Sequence, residues 1–185
     1  MPLVARVVDR AGIDFAALDR IAVTVGPGSF TGLRVGIAAA RGIALATGKP
    51  AVGLSTLASF AAPLISEDDS RQVTAAIDAR HGHVYLQVFG SGGRTLVAPR
   101  IATLRDAVRA AGAGSVRLVG CAADKLAALW PREANPPVSV EQREAPDIDW
   151  VARLGAAAEG HGPPKPLYLR APDARPQSAA QLPRR

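Results

Sequence analysis

The chain has 185 residues, of which 48% are hydrophobic and 21% charged; it is long enough to bury a core, and this composition excludes a largely disordered protein. A single cysteine, Cys121, excludes an intramolecular disulfide. The net charge of +6 favours an anionic partner, but residues 163–185 hold five basic side chains against one acidic one. With only four Phe, two Tyr and two Trp for base stacking, direct and strong binding of nucleic acid is not expected.

The sequence indicates neither a targeting segment nor a membrane span. Charged residues interrupt the N-terminal ten residues, where a signal peptide needs a continuous apolar run. The most apolar window, residues 33–46, contains Arg34 and Arg41 and is shorter than the ~20 apolar residues of a transmembrane helix. We therefore expect a cytoplasmic protein.

The sequence of the first half of the chain predicts alternating helices and strands, most of them ended by glycine or proline residues. Apolar residues recur at helical spacing before Gly12, and a β-rich run starting at Ile21 stops at a Gly-Pro-Gly turn. The predicted elements are a helix at 3–11, a strand at 21–25, a helix at 31–47 ended by Gly48, a strand at 51–54 and a helix from Ser55 or Thr56 to about Leu64. The alternation predicts a parallel α/β layer.

The second half begins after a polar stretch at residues 65–71, which predicts a boundary between two lobes. Two β-rich runs flank a turn that contains Gly82 and predict a hairpin. The predicted elements are hairpin strands at 73–77 and 84–89, a strand at 94–97, a helix at 103–111, a strand at 116–119, a helix at 122–129, a strand at 138–140 and a helix at 147–159.

A glycine-rich turn at residues 26–36 joins the first strand to the long helix, in a geometry that can present helix N–H groups to an anion. The known phosphate motifs do not fit it: the glycine spacing is one residue too long for a dinucleotide fingerprint, and no Gly-Lys-Ser/Thr is present. Ser29 also lacks the flanking glycines of a nucleophile elbow. Two interpretations stay open, a helix cap by Ser29 or Thr31 and an anion contact.

Small residues repeat every four positions along the long helix and form one ridge, at Gly32, Gly36, Ala40, Ala44 and Gly48. A glycine inside a helix costs about 1 kcal/mol relative to alanine, so an offsetting benefit is expected. A ridge without large side chains allows another helix to approach closely. That helix belongs either to this chain or to another subunit.

Five segments, met in the same order along the chain, resemble the TsaB (YeaZ) family. The longest is Gly-Pro-Gly-Ser-Phe-Thr-Gly-Leu-Arg-Val-Gly at 26–36, and the others are Ala-Arg-Gly-Ile-Ala-Leu-Ala at 40–46, Val-Gly-Leu-Ser-Thr-Leu at 52–57, Ala-Ile-Asp-Ala-Arg-x-Gly-x-Val-Tyr at 76–85 and Pro-Leu-Tyr-Leu-Arg-Ala-Pro-Asp-Ala at 166–174. The resemblance runs from about Leu3 to Pro176. It implies an α/β protein with the actin-like ATPase (RNase H-like) fold and two lobes.

The resemblance also implies a function. Members of the family are dimerisation and activating subunits that pair with a TsaD-type transferase, which makes threonylcarbamoyladenosine in tRNA, and a TsaE-type ATPase completes the assembly. Transfer RNA would be reached only through the complex, and the resemblance allows a homodimer when the chain is alone. The glycine-rich helix would contact the transferase through Phe30, Gly32, Leu33, Gly36, Ala40 and Ala44.

The sequence departs from the family at its start. Relatives begin with a strand that carries an Ile-Asp-Thr-Ser-like phosphate loop, whereas this sequence starts inside what would be the first helix. We therefore expect an N-terminally truncated first lobe at 1–66, whose strand at Ile21 has an unpaired edge, through truncation or a misassigned start. The second lobe is expected at 71–170 and a Pro/Arg-rich tail at 171–185.

No residue is assigned a catalytic, cofactor-binding or metal-ligating role. Asp78 ends a strand where actin-like ATPases place a phosphate-loop acid, but Ala79 follows it where glycine is usual, which favours a structural turn. His81 and His83 alternate across a turn and point apart rather than chelate. The alternatives to a partner subunit are an independent ATPase or kinase-like enzyme of the same fold and, less well supported, a metallopeptidase-like protein.

Overall fold

Two β-sheets organise the chain in a computed structural model that describes residues 2–112, 114–159 and 162–170. The strands are β1 (Ile21–Gly26), β2 (Ala51–Ser55), β3 (Gln72–Asp78), β4 (His83–Phe89), β5 (Thr95–Thr103), β6 (Val116–Val119) and β7 (Ser139–Glu141). The helices are α1 (Pro2–Arg10), α2 (Phe30–Thr47), α3 (Thr56–Glu67), α4 (Leu104–Ala111), α5 (Ala123–Ala128) and α6 (Ile148–Ala157). Short 3-10 turns lie at Phe15–Ala17 and Ser91–Gly93. The predicted tail, 171–185, lies outside the described residues.

The first sheet pairs β1 with β2 in parallel, from Ile21 opposite Ala51 to Gly26 opposite Ser55. Helix α2 makes the crossover between them, as the alternation of elements predicted. Within the described ranges β1 pairs with β2 only, so its second edge carries no strand ladder there. Helix α6 packs on the sheet so closely that a Cβ on Gly155 would lie 2.3 Å from Cβ of Ala22.

The second sheet is mixed and has the order β5-β4-β3-β6-β7. Strands β3, β4 and β5 are antiparallel neighbours, while β6 runs parallel to both β3 and β7. The predicted hairpin is present, with the β3–β4 turn closed by the N–H of His83 on the carbonyl of Arg80 at 3.0 Å. Helices α4 and α5 cover one face of this sheet and α3 covers the other.

Two elements differ from the prediction. Strand β5 continues to Thr103 instead of ending at residue 97, and it contains Pro99. It lies at the edge of the sheet, where a proline that cannot donate a hydrogen bond is tolerated. Helix α3 extends to Glu67, and its Leu57, Phe60 and Leu64 pack on the second sheet although the sequence assigned this segment to the first lobe.

No helix within the described ranges combines the length and the apolarity that a bilayer span requires.

Candidate partner interface

Helix α2 begins and ends with local capping signals. The hydroxyl oxygen of Ser29 accepts a hydrogen bond from the N–H of Gly32 at 3.3 Å. Of the two candidate caps, Ser29 and Thr31, Ser29 is therefore the one that caps the helix. At the other end Gly48 has a φ of 67°, and its N–H donates to the carbonyl of Ala44. The turn that precedes the helix contains a cis peptide bond between Gly26 and Pro27.

The glycine-rich turn is in close contact with the C-terminal segment of its own chain. Gly26 has a φ of 123°, and a Cβ there would lie 2.8 Å from the carbonyl oxygen of Leu167. The N–H of Leu167 donates to the carbonyl of Val25 at 2.8 Å. Intramolecular packing therefore accounts for this glycine, and with the Ser29 cap it favours the structural interpretation of the turn over an anion contact.

The ridge of small residues faces the first sheet over part of its length. Ala40 is 6% exposed and its neighbour Ile37 is 4% exposed. A Cβ on Gly36 would lie 3.8 Å from Cγ2 of Val23 on β1. The side chain of Ala40 is thus covered by its own chain, and it is not available to a partner in this conformation. Of the other residues assigned to the interface, Gly32 is exposed, and Leu33 and Ala44 are half-buried.

The opposite face of α2 carries a second stripe that the sequence analysis did not identify. We call it the outer stripe; its members are Thr31, Val35, Ala38, Gly42 and Leu45, all of them exposed. They are spaced by four and three residues alternately, which is the spacing of residues along one side of a paired helix. Val35 is 65% and Leu45 87% exposed, and a Cβ on Gly42 would have no atom within 4 Å. The 4-3-4-3 spacing was the sequence signal that could have revealed it.

A cavity of about 540 Å³ opens beside the C-terminal half of the outer stripe. Leu45 lines it, together with Gly162 and Pro163 of the C-terminal segment, and its two charged lining residues are Arg41 and Lys49. The cavity has the dimensions to receive large side chains from another molecule.

Phe30 lies at the N-terminal end of α2, in a cluster with Arg34 and Tyr168. The guanidinium carbon of Arg34 is 3.9 Å from the centre of the Phe30 ring, and Arg34 Nε–H donates to the hydroxyl oxygen of Tyr168 at 2.9 Å. The two ring centres are 5.5 Å apart. Phe30 is 45% exposed, so one part of its ring packs on its own chain and the rest remains accessible. The cluster ties the C-terminal segment to α2.

Helix α1 exposes further apolar side chains. Leu3 is 67% and Val7 65% exposed, and Val4 is 39% exposed. Of the side chains from residue 3 to residue 10, Val8 alone is half-buried and the others are exposed. A helix of this composition would gain stability by covering that surface, because exposed apolar area on several residues of one element is unusual in the absence of a partner.

Asp78, the acid considered for phosphate chemistry, is engaged in an ion pair. Lys125 Nζ lies 2.6 Å from Asp78 Oδ2, and the N–H of Arg80 donates to Oδ1 at 2.9 Å. The hydrogen bond from Lys125, followed by that from Arg80, holds the pKa of Asp78 below its ordinary value. The carboxylate is thus held ionised by its neighbours in a structural turn.

The histidines of the β3–β4 turn also have a local role. Nδ1 of His83 lies 2.8 Å from the carbonyl oxygen of His81, within hydrogen-bond distance. Among the residues that the structure describes, no group of three His, Cys, Asp or Glu side chains is arranged to hold a metal ion.

A mixed sheet, a smaller parallel sheet and the helices between them define an α/β protein of the actin-like class. A family model described as "TsaD: tRNA N6-adenosine threonylcarbamoyltransferase" matches residues 1–141. Two solved structures from Pseudomonas aeruginosa are similar, one described as YeaZ (TM-score 0.70) and one as an uncharacterized protein with similarity to peptidase YEAZ (TM-score 0.73). Each is 28% identical; both alignments cover 91% of this chain, and they cover 81% and 82% of those chains respectively.

Curated relatives carry three kinds of description. The tRNA threonylcarbamoyladenosine biosynthesis protein TsaB of Escherichia coli is 40% identical over 85 residues, which are 46% of this chain and 37% of that protein. A tRNA N6-adenosine threonylcarbamoyltransferase of Sorangium cellulosum is 34% identical over 129 residues, 70% of this chain and 36% of the transferase. An uncharacterized protein of Mycobacterium tuberculosis is 33% identical over 171 residues, 90% of this chain and 71% of that protein.

The chain therefore belongs to the TsaD family that the matching model describes and, within it, to the TsaB (YeaZ) proteins, as its motifs predicted. It spans less than half the length of the TsaB and transferase relatives named above.

Proposed function

We propose that this chain is a non-catalytic subunit that pairs with a TsaD-type transferase and activates it in the formation of N6-threonylcarbamoyladenosine in tRNA. The outer stripe of α2 carries the proposal. It places Val35 and Leu45, which are 65% and 87% exposed, on one helix face together with small residues. Large apolar side chains at this spacing, flanked by positions that permit close approach, are typical of a helix that packs on another helix.

The comparisons support a transferase as the partner. The E. coli relative is described as a tRNA threonylcarbamoyladenosine biosynthesis protein, and other relatives are transferases for the same modification. Because the TsaD family model matches residues 1–141, which include α2, a transferase of this kind would carry a helix equivalent to α2. Two related chains can then pair through equivalent surfaces about an approximate two-fold axis.

The hydrogen bonds of the Asp78 carboxylate favour a non-catalytic role for this chain. Its carboxylate is bonded to Lys125 at 2.6 Å and to the backbone of Arg80, so binding a metal–nucleotide there would require breaking an ion pair. We propose that the reaction takes place in the transferase, that a TsaE-type ATPase completes the assembly, and that tRNA is bound by the complex rather than by this chain alone.

Gly42→Leu tests the proposal with little risk to the fold. A Cβ at Gly42 has no atom within 4 Å, and leucine favours a helix over glycine by close to 1 kcal/mol, so the isolated variant should be at least as stable as the parent. At a close helix contact the extra side chain would cost 1–3 kcal/mol. We expect the dissociation constant for the transferase to rise about tenfold and activation of the transferase to fall in proportion.

Gly42→Ala is the matched control, since it adds a single methyl group at the same position. Its affinity should stay within about threefold of the parent, and its unfolding temperature should rise with that of the leucine variant. The proposal is wrong if the leucine variant binds and activates the transferase as well as the parent does. Gly36→Leu is unsuitable for this purpose, because its side chain would press on Val23 of the same chain.

A further inference from the structure

The charged residues of α2 and those that line the cavity beside it are all basic. Arg34 and Arg41 are seven residues apart and lie on the same flank of α2, each directly before a residue of the stripe. Lys49 follows the helix and lines the cavity together with Arg41. Helix α2 contains no aspartate or glutamate along its 18 residues.

The positions of these basic residues determine which partner helix the outer stripe can bind. If two copies of α2 packed stripe to stripe in antiparallel fashion, the arginine flank of one would face the arginine flank of the other. In the parallel arrangement each arginine flank would face Gly32, Ala39 and Ala46, which carry no charge. In neither orientation does a second α2 supply a carboxylate, and like charges brought together at an interface oppose association.

We infer that the outer stripe is built for a partner helix whose flank carries carboxylates opposite Arg41 and Lys49, and that these cations disfavour self-association. This inference rests on the proposed function and adds to it the chemistry of the partner's surface. The cavity beside Leu45 is the natural place for the contact, since apolar walls lie next to two cationic groups there. A carboxylate placed at the rim would attract these groups with little water between them.

The two kinds of pair therefore have opposite dependences on salt. Raising the sodium chloride concentration from 50 to 500 mM screens surface charges; it should weaken the complex with the transferase about fivefold and strengthen any homodimer. Arg41→Gln should weaken the complex about threefold at 50 mM salt, reduce its salt dependence and favour the homodimer. Sedimentation of the full chain, alone and with its transferase, measures both equilibria.

Arg105→Gln on α4 is the matched control, because it removes the same charge from an exposed position on a helix that packs on the second sheet. It should change neither equilibrium. The inference is overturned if the two variants behave alike, if the affinity for the transferase is independent of salt, or if the chain stays monomeric in high salt and in the Arg41 variant alike. Absence of any complex at all salt concentrations would instead refute the proposed function, and the self-association experiment would still decide the role of the cations.

Discussion

Replacing Gly155 by alanine tests how closely α6 packs on β1. A Cβ at position 155 would lie 2.3 Å from Cβ of Ala22 and 3.7 Å from Cγ2 of Val52. Carbon atoms in contact are ordinarily 3.5–4.0 Å apart. The helix or the strand must therefore move by about 1 Å. The two methyl groups, the new one on residue 155 and that of Ala22, are both attached directly to the backbone, so no flexible side chain can move aside.

The expected loss follows from two opposing effects. Overpacking costs about 1–3 kcal/mol, and the 2.3 Å approach places this contact in the upper half of that range, at about 2–3 kcal/mol. Alanine in place of glycine inside a helix returns about 1 kcal/mol. The net loss in the free energy of unfolding is then about 1–2 kcal/mol. For a chain of this size each kcal/mol lowers the unfolding temperature by about 2–4 °C, which predicts a decrease of roughly 2–8 °C.

Thermal and urea unfolding followed by circular dichroism measure both quantities. Gly42→Ala is the matched control, since it makes the same change in a helix at a position with no atom within 4 Å of the new Cβ; it should stabilise the chain by about 0.5–1 kcal/mol. If Gly155→Ala stabilised the chain as Gly42→Ala does, the close packing of α6 on β1 would be refuted.

Two further predictions concern polar contacts between distant parts of the chain. Because the folded pKa of Asp78 is lowered, its contribution to stability is complete above the unfolded value of about 4 and is lost as the pH falls through the folded value. Asp78→Asn should therefore lower the unfolding temperature slightly at pH 7. A deficit that did not shrink as the pH is lowered below about 4 would contradict the ion pair. Arg20 donates to the carbonyls of Gly155 at 3.0 Å and Ala156 at 3.3 Å, at the C-terminal end of α6. Arg20→Met should therefore cost about 1–2 kcal/mol in urea unfolding, and an unchanged midpoint would show that these bonds contribute nothing.

Most elements of the fold could be predicted from the sequence because their signals are local. Gly48 ends α2 in the left-handed conformation that glycine adopts most readily, and Ser29 caps it through a bond three residues away. The hairpin at Gly82 likewise depends on neighbouring residues. The full length of β5 was missed because Pro99 argues against a strand unless the strand is known to lie at an edge.

The face of α2 that meets a partner could not be decided in the same way. The helix is rich in small and apolar residues on all sides, so its periodicity yields two stripes of comparable quality, one through Gly36 and Ala40 and one through Val35 and Leu45. Periodicity determines which residues share a face of the helix. It does not determine which of those faces packs on the protein's own sheet.

The sequence by itself determined the family, the order of strands and helices and the glycine that ends α2, since all of these depend on residues close together in the chain. Only the tertiary structure decided that Ala40 is buried while Leu45 is exposed, that α3 covers the second sheet, and that Asp78 pairs with Lys125, 47 residues further on. Each of these depends on contacts between segments distant in sequence, and such contacts exist only once the sheets have brought those segments together.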